Sequence, residues 1–169
     1  MNNGPSRFLS PPFGGGAAAG TWSEGSGNNY VLNPSVEADR VSTSTMAGWS
    51  DTANVSNHLG GHTGRWSMAQ SSSSAYTASI DQNITLPNGT YTLTAWVKSS
   101  GGQKSANLYA KNYGASELDH SLNQAIGTWT QESITGITVT NGTIQVGIAS
   151  NANAGNWIYA DDFNLIQTS

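Results

Sequence analysis

The stretch YAKNYGASE, residues 109–117, concentrates groups suited to holding a polar ligand between two strand-like runs. Tyr109 and Tyr113 supply aromatic rings, while Lys111 and Asn112 supply hydrogen-bonding groups just before a glycine turn. Aromatic rings pack against the apolar C–H face of a sugar ring, and planar polar side chains bridge its hydroxyl groups. This combination predicts a sugar-binding surface at the end of a hairpin.

A second candidate surface follows the run NANAGN, whose Asn, Ala and Gly residues predict a loop. Trp157 directly follows this loop and has Asn153 and Asn156 as hydrogen-bonding neighbours. If the two hairpin ends meet at one edge, they would form a cleft from both sets of residues. In the alternative, Tyr113 fills the end of the fold and Lys111 is solvated. Trp96 and Trp129 are predicted to pack in the core or on a sheet face, because most large aromatic residues are structural.

Catalytic machinery is not apparent, so we predict that the protein is not an enzyme. Hydrolysis of a glycosidic bond needs two carboxylates that face each other across the substrate. Glu117 and Asp119 share a strand face and lie too close in sequence to flank a substrate. The three histidines are isolated, with no HExxH spacing, and the chain lacks a G-x-S-x-G nucleophile motif.

The composition excludes several classes of partner. Charged residues make up only 9% of the chain and the net charge is −4, so no basic patch exists for nucleic acid. No apolar run is long enough to span a bilayer, and the absence of cysteine excludes disulfides and thiolate metal sites. Sparse charge with abundant Ser, Thr and Asn is typical of bacterial extracellular proteins, and we predict that location. No signal-peptide pattern opens the chain.

Residues 1–28 differ in composition from the rest of the chain. They mix Pro, Gly, Ala and Ser without a period of 2 or 3.6, as expected for an arm or linker. The segment nevertheless contains Phe8, Leu9 and Phe13, and flexible linkers seldom carry such apolar anchors. Two alternatives remain open, an inter-domain linker or expression remnant, and an arm that docks on a partner.

From Tyr30 onward the chain reads as strand after strand, so residues 29–169 are predicted to form one all-β domain. In TYTLTAWV, apolar residues alternate with threonines and Trp96 at a period of 2, which is the strand period. Many short strands separated by turn residues predict an antiparallel two-sheet β-sandwich of jelly-roll type. The predicted strands lie in YVLNPSV, GRWSMAQ, AYTASIDQNI, TYTLTAWVKSS, SANLYAKNY, GTWTQESI, TIQVGIAS and NWIYADDFNLIQ.

Several motifs in order support a resemblance to a known family: NPSVEAD with a following GW, GHTGRWSM, LPNGTYTLTAWVKSSGG, YAKNYG and ANAGNWIYADDFNL. Together they resemble the galactose-binding-like β-jelly-roll carbohydrate-binding modules that are attached to bacterial polysaccharide-degrading enzymes. The resemblance covers about residues 29–167. It implies a non-catalytic module that binds a polysaccharide or other glycan.

The resemblance also implies a structural Ca²⁺ that ties the first strand to the last. Its ligands would be Glu37, Asp39 and Asp162, with backbone carbonyls of the GGHTG loop completing the shell. Calcium takes six to eight hard oxygen ligands, so this donor set suits it. In the alternative, Glu37 and Asp39 are surface acids and Asp162 caps a turn. Strand alternation predicts that Asp161 points to the opposite face from Asp162, so that only one of them serves the metal.

A second function class explains the N-terminal segment better. The same sandwich could be a structural or decoration subunit of an extracellular filament or a virus particle. Phe8, Leu9 and Phe13 would then dock into a neighbouring copy of the chain or into another structural protein. Such a subunit could bind glycans as well, so the two functions are compatible.

Overall fold

Two antiparallel β-sheets pack face to face in the computed structural model, which describes residues 28–39 and 41–169. Each sheet has five strands, so the predicted all-β two-sheet sandwich is confirmed. The strands are β1 (Ser50–Asp51), β2 (Val55–Leu59), β3 (Trp66–Ser71), β4 (Tyr76–Thr85), β5 (Gly89–Ser99), β6 (Ser105–Lys111), β7 (Leu118–Ser121), β8 (Ile126–Val139), β9 (Thr143–Ala152) and β10 (Trp157–Gln167). Sheet A has the order β1-β4-β9-β6-β7, and sheet B has the order β2-β3-β10-β5-β8.

The strands form where the sequence alternates, because each strand must present one apolar face to the other sheet. Along β5, Tyr91, Leu93, Ala95 and Val97 are fully buried between the sheets, while the residues between them face outward. The same alternation runs through β4 and β10 and builds one continuous core. The outward face of sheet B is therefore free to carry residues that the core does not need.

The first described segment differs from its prediction. YVLNPSV was expected to be a strand, but residues 30–36 form turns, with Asn33 and Val36 at positive φ. The segment still lies beside the last strand, because Tyr30 N donates to Leu165 O at 3.0 Å. The Asn-Pro pair favours a turn over a regular ladder, since proline has no N–H to donate. The short strands β1 and β2 were not predicted, whereas β7 lies where Glu117 and Asp119 were expected to share a strand face.

A β-bulge interrupts β10 beside β5. The pairing register shifts between Asp161 and Asn164, and Asp162 takes a positive φ of 47°. A bulge inserts an extra residue into one strand and redirects its side chain. Residues after the bulge return to alternation, with Phe163 and Leu165 in the core. In the described part of the chain, no helix has the length and apolar character needed to cross a membrane.

Candidate functional site

The two predicted hairpin ends do not meet. In the β6–β9 pairing, Lys111 is opposite Gln145, whereas Ser105 is opposite Asn151. The end of β6 lies opposite Gln145, seven residue steps before β9 ends at Ala152, so the two strand ends are about 23 Å apart along the sheet. Antiparallel neighbours end at opposite edges, so residues 109–113 and residues 153–157 cannot share one cleft. The condition for a joint cleft is therefore not met.

Residues 109–113 have mostly structural surroundings. Tyr109 is 3% exposed, and the ammonium of Lys111 lies 4.7 Å from the centre of its ring. Burial, followed by the negative charge of Asp81, raises the pKa of Tyr109. Asn112 donates through Nδ2 to Gln145 Oε1 at 2.9 Å. Tyr113 belongs to the core and donates to the carbonyl of Ser116, so it fills the end of the sandwich, as the alternative stated.

The asparagines of the other loop hold two turns together. Asn153 Nδ2 donates to Gly102 O at 2.9 Å, and Asn156 Nδ2 donates to Gly101 O at 3.0 Å. Asn156 Oδ1 also accepts a hydrogen bond from Asn153 N. Both side-chain amides are therefore committed to the fold. Trp157 is half-buried on the outward face of sheet B.

Trp157 begins a stack of three rings on that outward face. Its ring centre is 4.6 Å from that of Tyr159, with 20° between the planes. His58 stacks on Tyr159 at 4.4 Å and 19°. Along β3, Trp157 pairs with Ser71, Tyr159 pairs with Ala69, and His58 of β2 pairs with Ser67. Trp157 and His58 therefore lie on opposite sides of Tyr159. Tyr159 therefore has both faces covered, and Trp157 and His58 end the stack.

A second aromatic group lies across β5 and β8. His62 stacks on Trp96 with ring centres 3.9 Å apart and 10° between the planes, and it meets the edge of Trp129 at 5.9 Å. The ammonium of Lys98 lies 5.1 Å from the centre of the Trp129 ring. We call the two groups together the aromatic face; it comprises His58, His62, Trp96, Trp129, Trp157 and Tyr159.

A pocket of about 410 Å³ opens at one end of the aromatic face. Its floor lies on the outward side of β5, β8 and β10, and the first described segment forms one wall. We call it the Trp96 pocket. Its lining residues are Asn29, Pro34, Ser35, Thr63, Thr94, Trp96, Gln131, Asp162, Phe163 and Asn164.

Sequence reasoning gave Trp96 a position in the core or on a sheet face, and it did not identify Tyr159 or the histidines as surface residues that share a location with it. Part of the signal was present, because Trp96 alternates with the core residues of β5, and Tyr159 alternates with Ile158 and Ala160. The period of 2 assigns each ring to the outward face of its own strand. It does not reveal that β5 and β10 are neighbours, so it could not bring the rings together.

The acidic residues are arranged differently from their prediction. Asp161 Oδ2 accepts hydrogen bonds from the backbone N–H groups of His62 and Thr63, at 2.7 and 3.1 Å. Asp162 reaches the same two residues, with Oδ2 2.6 Å from His62 Nδ1 and Oδ1 2.7 Å from Thr63 Oγ1. Both aspartates therefore lie on the same side of sheet B, and the prediction of opposite faces is wrong. The bulge at Asp162 is the reason, since it breaks the alternation.

The predicted ligand trio of Glu37, Asp39 and Asp162 is not brought together. Asp39 accepts a hydrogen bond from Ala47 N, and Asp162 lies in the Trp96 pocket. Among residues 28–39 and 41–169, no group of three or more His, Cys, Asp or Glu side chains could hold a metal. A site built from these three carboxylates is therefore not supported.

A smaller oxygen set does converge on the loop 60–66. Glu37 Oε1 accepts hydrogen bonds from Arg65 N and Trp66 N, at 2.8 and 2.6 Å. Because Asp161 accepts one from His62 N, the loop is held by a residue near the start of the domain and by a residue near its end. A Cβ on Gly61 would collide with the carbonyl oxygens of Thr63 and Trp66, and it would lie 2.8 Å from Asp161 Oδ2. Carboxylate and carbonyl oxygens packed this closely form a cradle that fits a hard cation.

The electrostatics of Asp161 agree with that fit. The residue is fully buried beneath the loop 60–66. Burial, followed by the charge of Asp162, raises the pKa of Asp161 to about 7. A bound cation would oppose both effects by stabilising the carboxylate. The residues that would hold it are Glu37, Asp161 and the carbonyls of Thr63 and Trp66.

The predicted docking residues Phe8, Leu9 and Phe13 lie outside the described residues. Their role in binding a partner stays a prediction, as does the extracellular location.

Comparison with known proteins gives one sequence match and several structural matches. No protein-family profile matches the chain. A 1,6-alpha-glucosyltransferase of Sporosarcina globispora is 33% identical over 94 residues, which are 54% of this chain and 7% of that enzyme. The chain therefore spans only a small part of the relative that it matches.

The structural matches cover most of the described domain. TmCBM61, solved in complex with beta-1,4-galactotriose, superposes with a TM-score of 0.70 and 22% identity, covering 82% of this chain and 98% of that chain. A family 16 carbohydrate-binding module superposes with a TM-score of 0.62 and 20% identity, covering 82% of this chain and 100% of that chain. Tailspike protein 4 of bacteriophage CBA120 superposes with a TM-score of 0.62 and 13% identity, covering 82% of this chain and 21% of that chain. The chain therefore has the two-sheet β-sandwich fold of carbohydrate-binding modules.

Proposed function

We propose that this chain is a non-catalytic module that binds a polysaccharide through the aromatic face of sheet B. The observation that carries the proposal is the collection of six aromatic and imidazole rings on one outward sheet face rather than in the core. An outward apolar surface rimmed by polar groups marks an interaction site in a soluble domain. The match to TmCBM61 in complex with beta-1,4-galactotriose supports a glycan as the ligand.

The dimensions of the face suit an extended ligand. It crosses all five strands of sheet B, from His58 on β2 to Trp129 on β8. Four inter-strand steps amount to about 19 Å, which accommodates several consecutive sugar units. The ends of the ring stack and the indole of Trp96 offer apolar contacts, and Lys98 offers a hydrogen-bond donor between the two aromatic groups.

The carboxylates near the face support binding rather than hydrolysis. Asp161 is buried and accepts backbone N–H groups, so it cannot reach a substrate. Asp162 is the one acidic residue in the described lining of the Trp96 pocket. Glycoside hydrolysis needs a second carboxyl group roughly 5–9.5 Å away across the bond.

Substitution of the stack tests the function. Trp157→Ala is expected to weaken glycan binding roughly five- to tenfold, since an aromatic contact contributes about 1 kcal/mol. Tyr159→Ala should also weaken binding, because it removes the ring on which Trp157 and His58 both stack. Neither ring belongs to the described core, so the melting temperature should fall little. Binding would be measured by calorimetry on the glycan that an array identifies, with Gln145→Ala on sheet A as the control. Wild-type affinity in both aromatic variants would contradict the proposal.

The proposal includes a structural Ca²⁺ in the cradle of Glu37, Asp161 and the carbonyls of Thr63 and Trp66. A bound cation supplies positive charge where these oxygens crowd together. The chain's own residues do the rest: Glu37 fixes the end of the loop 60–66 at Trp66, and Asp161 fixes its start at His62. The loop in turn holds Thr63 at the rim of the Trp96 pocket.

The structural-subunit alternative is favoured by one observation, the fold shared with part of a bacteriophage tailspike protein. Deletion of residues 1–28 separates the two functions. If the chain is a binding module, we expect glycan affinity to be unchanged. If it is a particle subunit, sedimentation should report the loss of an assembly that the full chain forms. A full chain that stays monomeric at high concentration would contradict self-assembly.

A further inference from the structure

We propose that the Trp96 pocket is the subsite that selects the ligand, and that it takes a neutral sugar residue and rejects an acidic one. This inference rests on the proposed carbohydrate-binding function and assigns its specificity to one place. The pocket differs from the rest of the aromatic face, because it is concave and has polar groups around a single indole. Its volume of about 410 Å³ lies within the range of roughly 300–1,000 Å³ for small-molecule sites.

The indole of Trp96 has a defined orientation toward the pocket. His62 covers one face of the ring at 3.9 Å, so only the other face and the ring edge can meet a ligand. His62 is itself held, because its Nδ1 lies 2.6 Å from Asp162 Oδ2 and its backbone N–H donates to Asp161. A ring fixed in this way loses little conformational freedom when a sugar packs against it.

The hydrogen-bonding groups of the pocket are not all used by the fold. Thr94 Oγ1 is buried and has no hydrogen-bond partner among the described residues. The side chains of Gln131 and Asn164 make no hydrogen bond within the described part of the chain, although both line the pocket. Amide groups donate and accept at once, which suits the hydroxyl groups of a sugar. A buried hydroxyl without a partner is costly, and a ligand hydroxyl would satisfy it.

The charge of the pocket points to a neutral ligand. Asp162 is the one charged side chain among its described lining residues. Its Oδ1 accepts a hydrogen bond from Thr63 and its Oδ2 lies 2.6 Å from His62 Nδ1, and no Lys or Arg of the described chain pairs with it. Lys98, the nearest cation along β5, lies over Trp129 instead. A uronic acid carboxylate in the pocket would meet a like charge, which is unfavourable.

The bulge makes Asp162 a suitable position for a test. Its φ of 47° lies in the left-handed region, which Asn adopts as readily as Asp. Asp162→Asn therefore removes the charge while it keeps the backbone and the side-chain shape. Thr94→Val is an equally conservative change, since it replaces only the buried hydroxyl. Thr92→Val is its matched control, because Thr92 lies on the same outward side of β5 and outside the pocket lining.

The experiment measures binding of neutral and acidic glycans by the full chain and its variants. The probes are β-1,4-galactan, xylan and α-1,6-glucan, with polygalacturonate as the acidic counterpart. Thr94→Val and Gln131→Ala should each weaken binding of the neutral probe roughly three- to tenfold, as expected for one lost hydrogen bond. Thr92→Val should bind like the wild type. Asp162→Asn should raise binding of polygalacturonate while it changes neutral binding less.

The outcomes separate this inference from the function on which it rests. If the wild type binds none of the probes or any glycan of an array, the proposed function fails. If it binds a neutral glycan and both pocket variants keep wild-type affinity, the pocket assignment fails while carbohydrate binding stands. If the wild type prefers polygalacturonate, the selectivity against acidic sugars is refuted. Melting curves of each variant confirm that a lost affinity does not reflect unfolding.

Discussion

Removal of calcium by a chelator is expected to lower the melting temperature of the wild-type chain by about 5–10 °C. A ligand at 100 times its dissociation constant stabilises the folded state by about 2.7 kcal/mol, and a domain of this size loses roughly 2–4 °C per kcal/mol. The structural reason is the loop 60–66, which Glu37 and Asp161 join to both ends of the domain. Without a cation, buried carboxylate and carbonyl oxygens face one another around Gly61.

The adjacent aspartates provide a matched pair for this prediction. Asp161→Asn should abolish most of the difference in melting temperature between calcium and chelator, because Asp161 Oδ2 lies at the cradle. Asp162→Asn should keep the difference, since Asp162 faces the Trp96 pocket and contacts His62 and Thr63 side chains. Differential scanning fluorimetry with added Ca²⁺ or chelator measures both. An unchanged wild-type melting temperature would remove calcium from the account, and calcium dependence lost only in Asp162→Asn would transfer the site to Asp162.

Gly147→Ala is expected to destabilise the fold by about 3 kcal/mol, in the upper range for overpacking. Gly147 lies in the middle of β9, between Asp81 on β4 and Tyr109 on β6. A Cβ there would collide with the carbonyl oxygen of Ile80 and lie 2.8 Å from Asp81 Cβ. The obstacle includes backbone, which cannot move without breaking the β4–β9 ladder. The added methyl would also intrude between Tyr109 and Asp81, which interact across this position.

Gly127→Ala is the control for this change. Gly127 also lies in a strand, β8, and no heavy atom comes within 4 Å of an added Cβ. Its φ is outside the left-handed region, so alanine should be neutral or stabilise by up to about 1 kcal/mol. Urea unfolding of the two variants gives the comparison directly. Equal stability of Gly147→Ala and Gly127→Ala would show that β4 and β9 are farther apart than described.

Much of the fold could be predicted because apolar and polar residues alternate within each strand, and this alternation is visible in a short stretch of sequence. β5 and β10 were predicted from residues such as Leu93 and Ile158, whose period of 2 defines a buried face within a few residues of chain. The short strands β1 and β2 were missed for the same reason, since their two and five residues are too few to display a period. The segment 30–36 was misassigned because its apolar residues pack beside β10 from turns rather than from a ladder.

The candidate site could be predicted only in part. Trp157 was identified from its loop, and its location on an outward face agrees with that choice. The grouping with residues 109–113 failed because strand order and direction are long-range properties, and β6 and β9 end at opposite edges. The assignment of the metal ligands failed at Asp162, because it assumed that Asp161 and Asp162 face opposite sides of the sheet. The β-bulge at this point breaks the strand alternation and places both on the same side.

By itself, the sequence determined an all-β chain, the face of most strands that is buried, and the scarcity of paired catalytic acids. These properties follow from residue type and short-range periodicity, which each segment carries on its own. Only the tertiary structure decided that His58, Tyr159 and Trp157 stack, that the loop 60–66 buries Asp161, and that a pocket opens beside Trp96. Each of these requires segments up to about a hundred residues apart to become neighbours, and the pairing of strands, not the pattern within one, sets which segments meet.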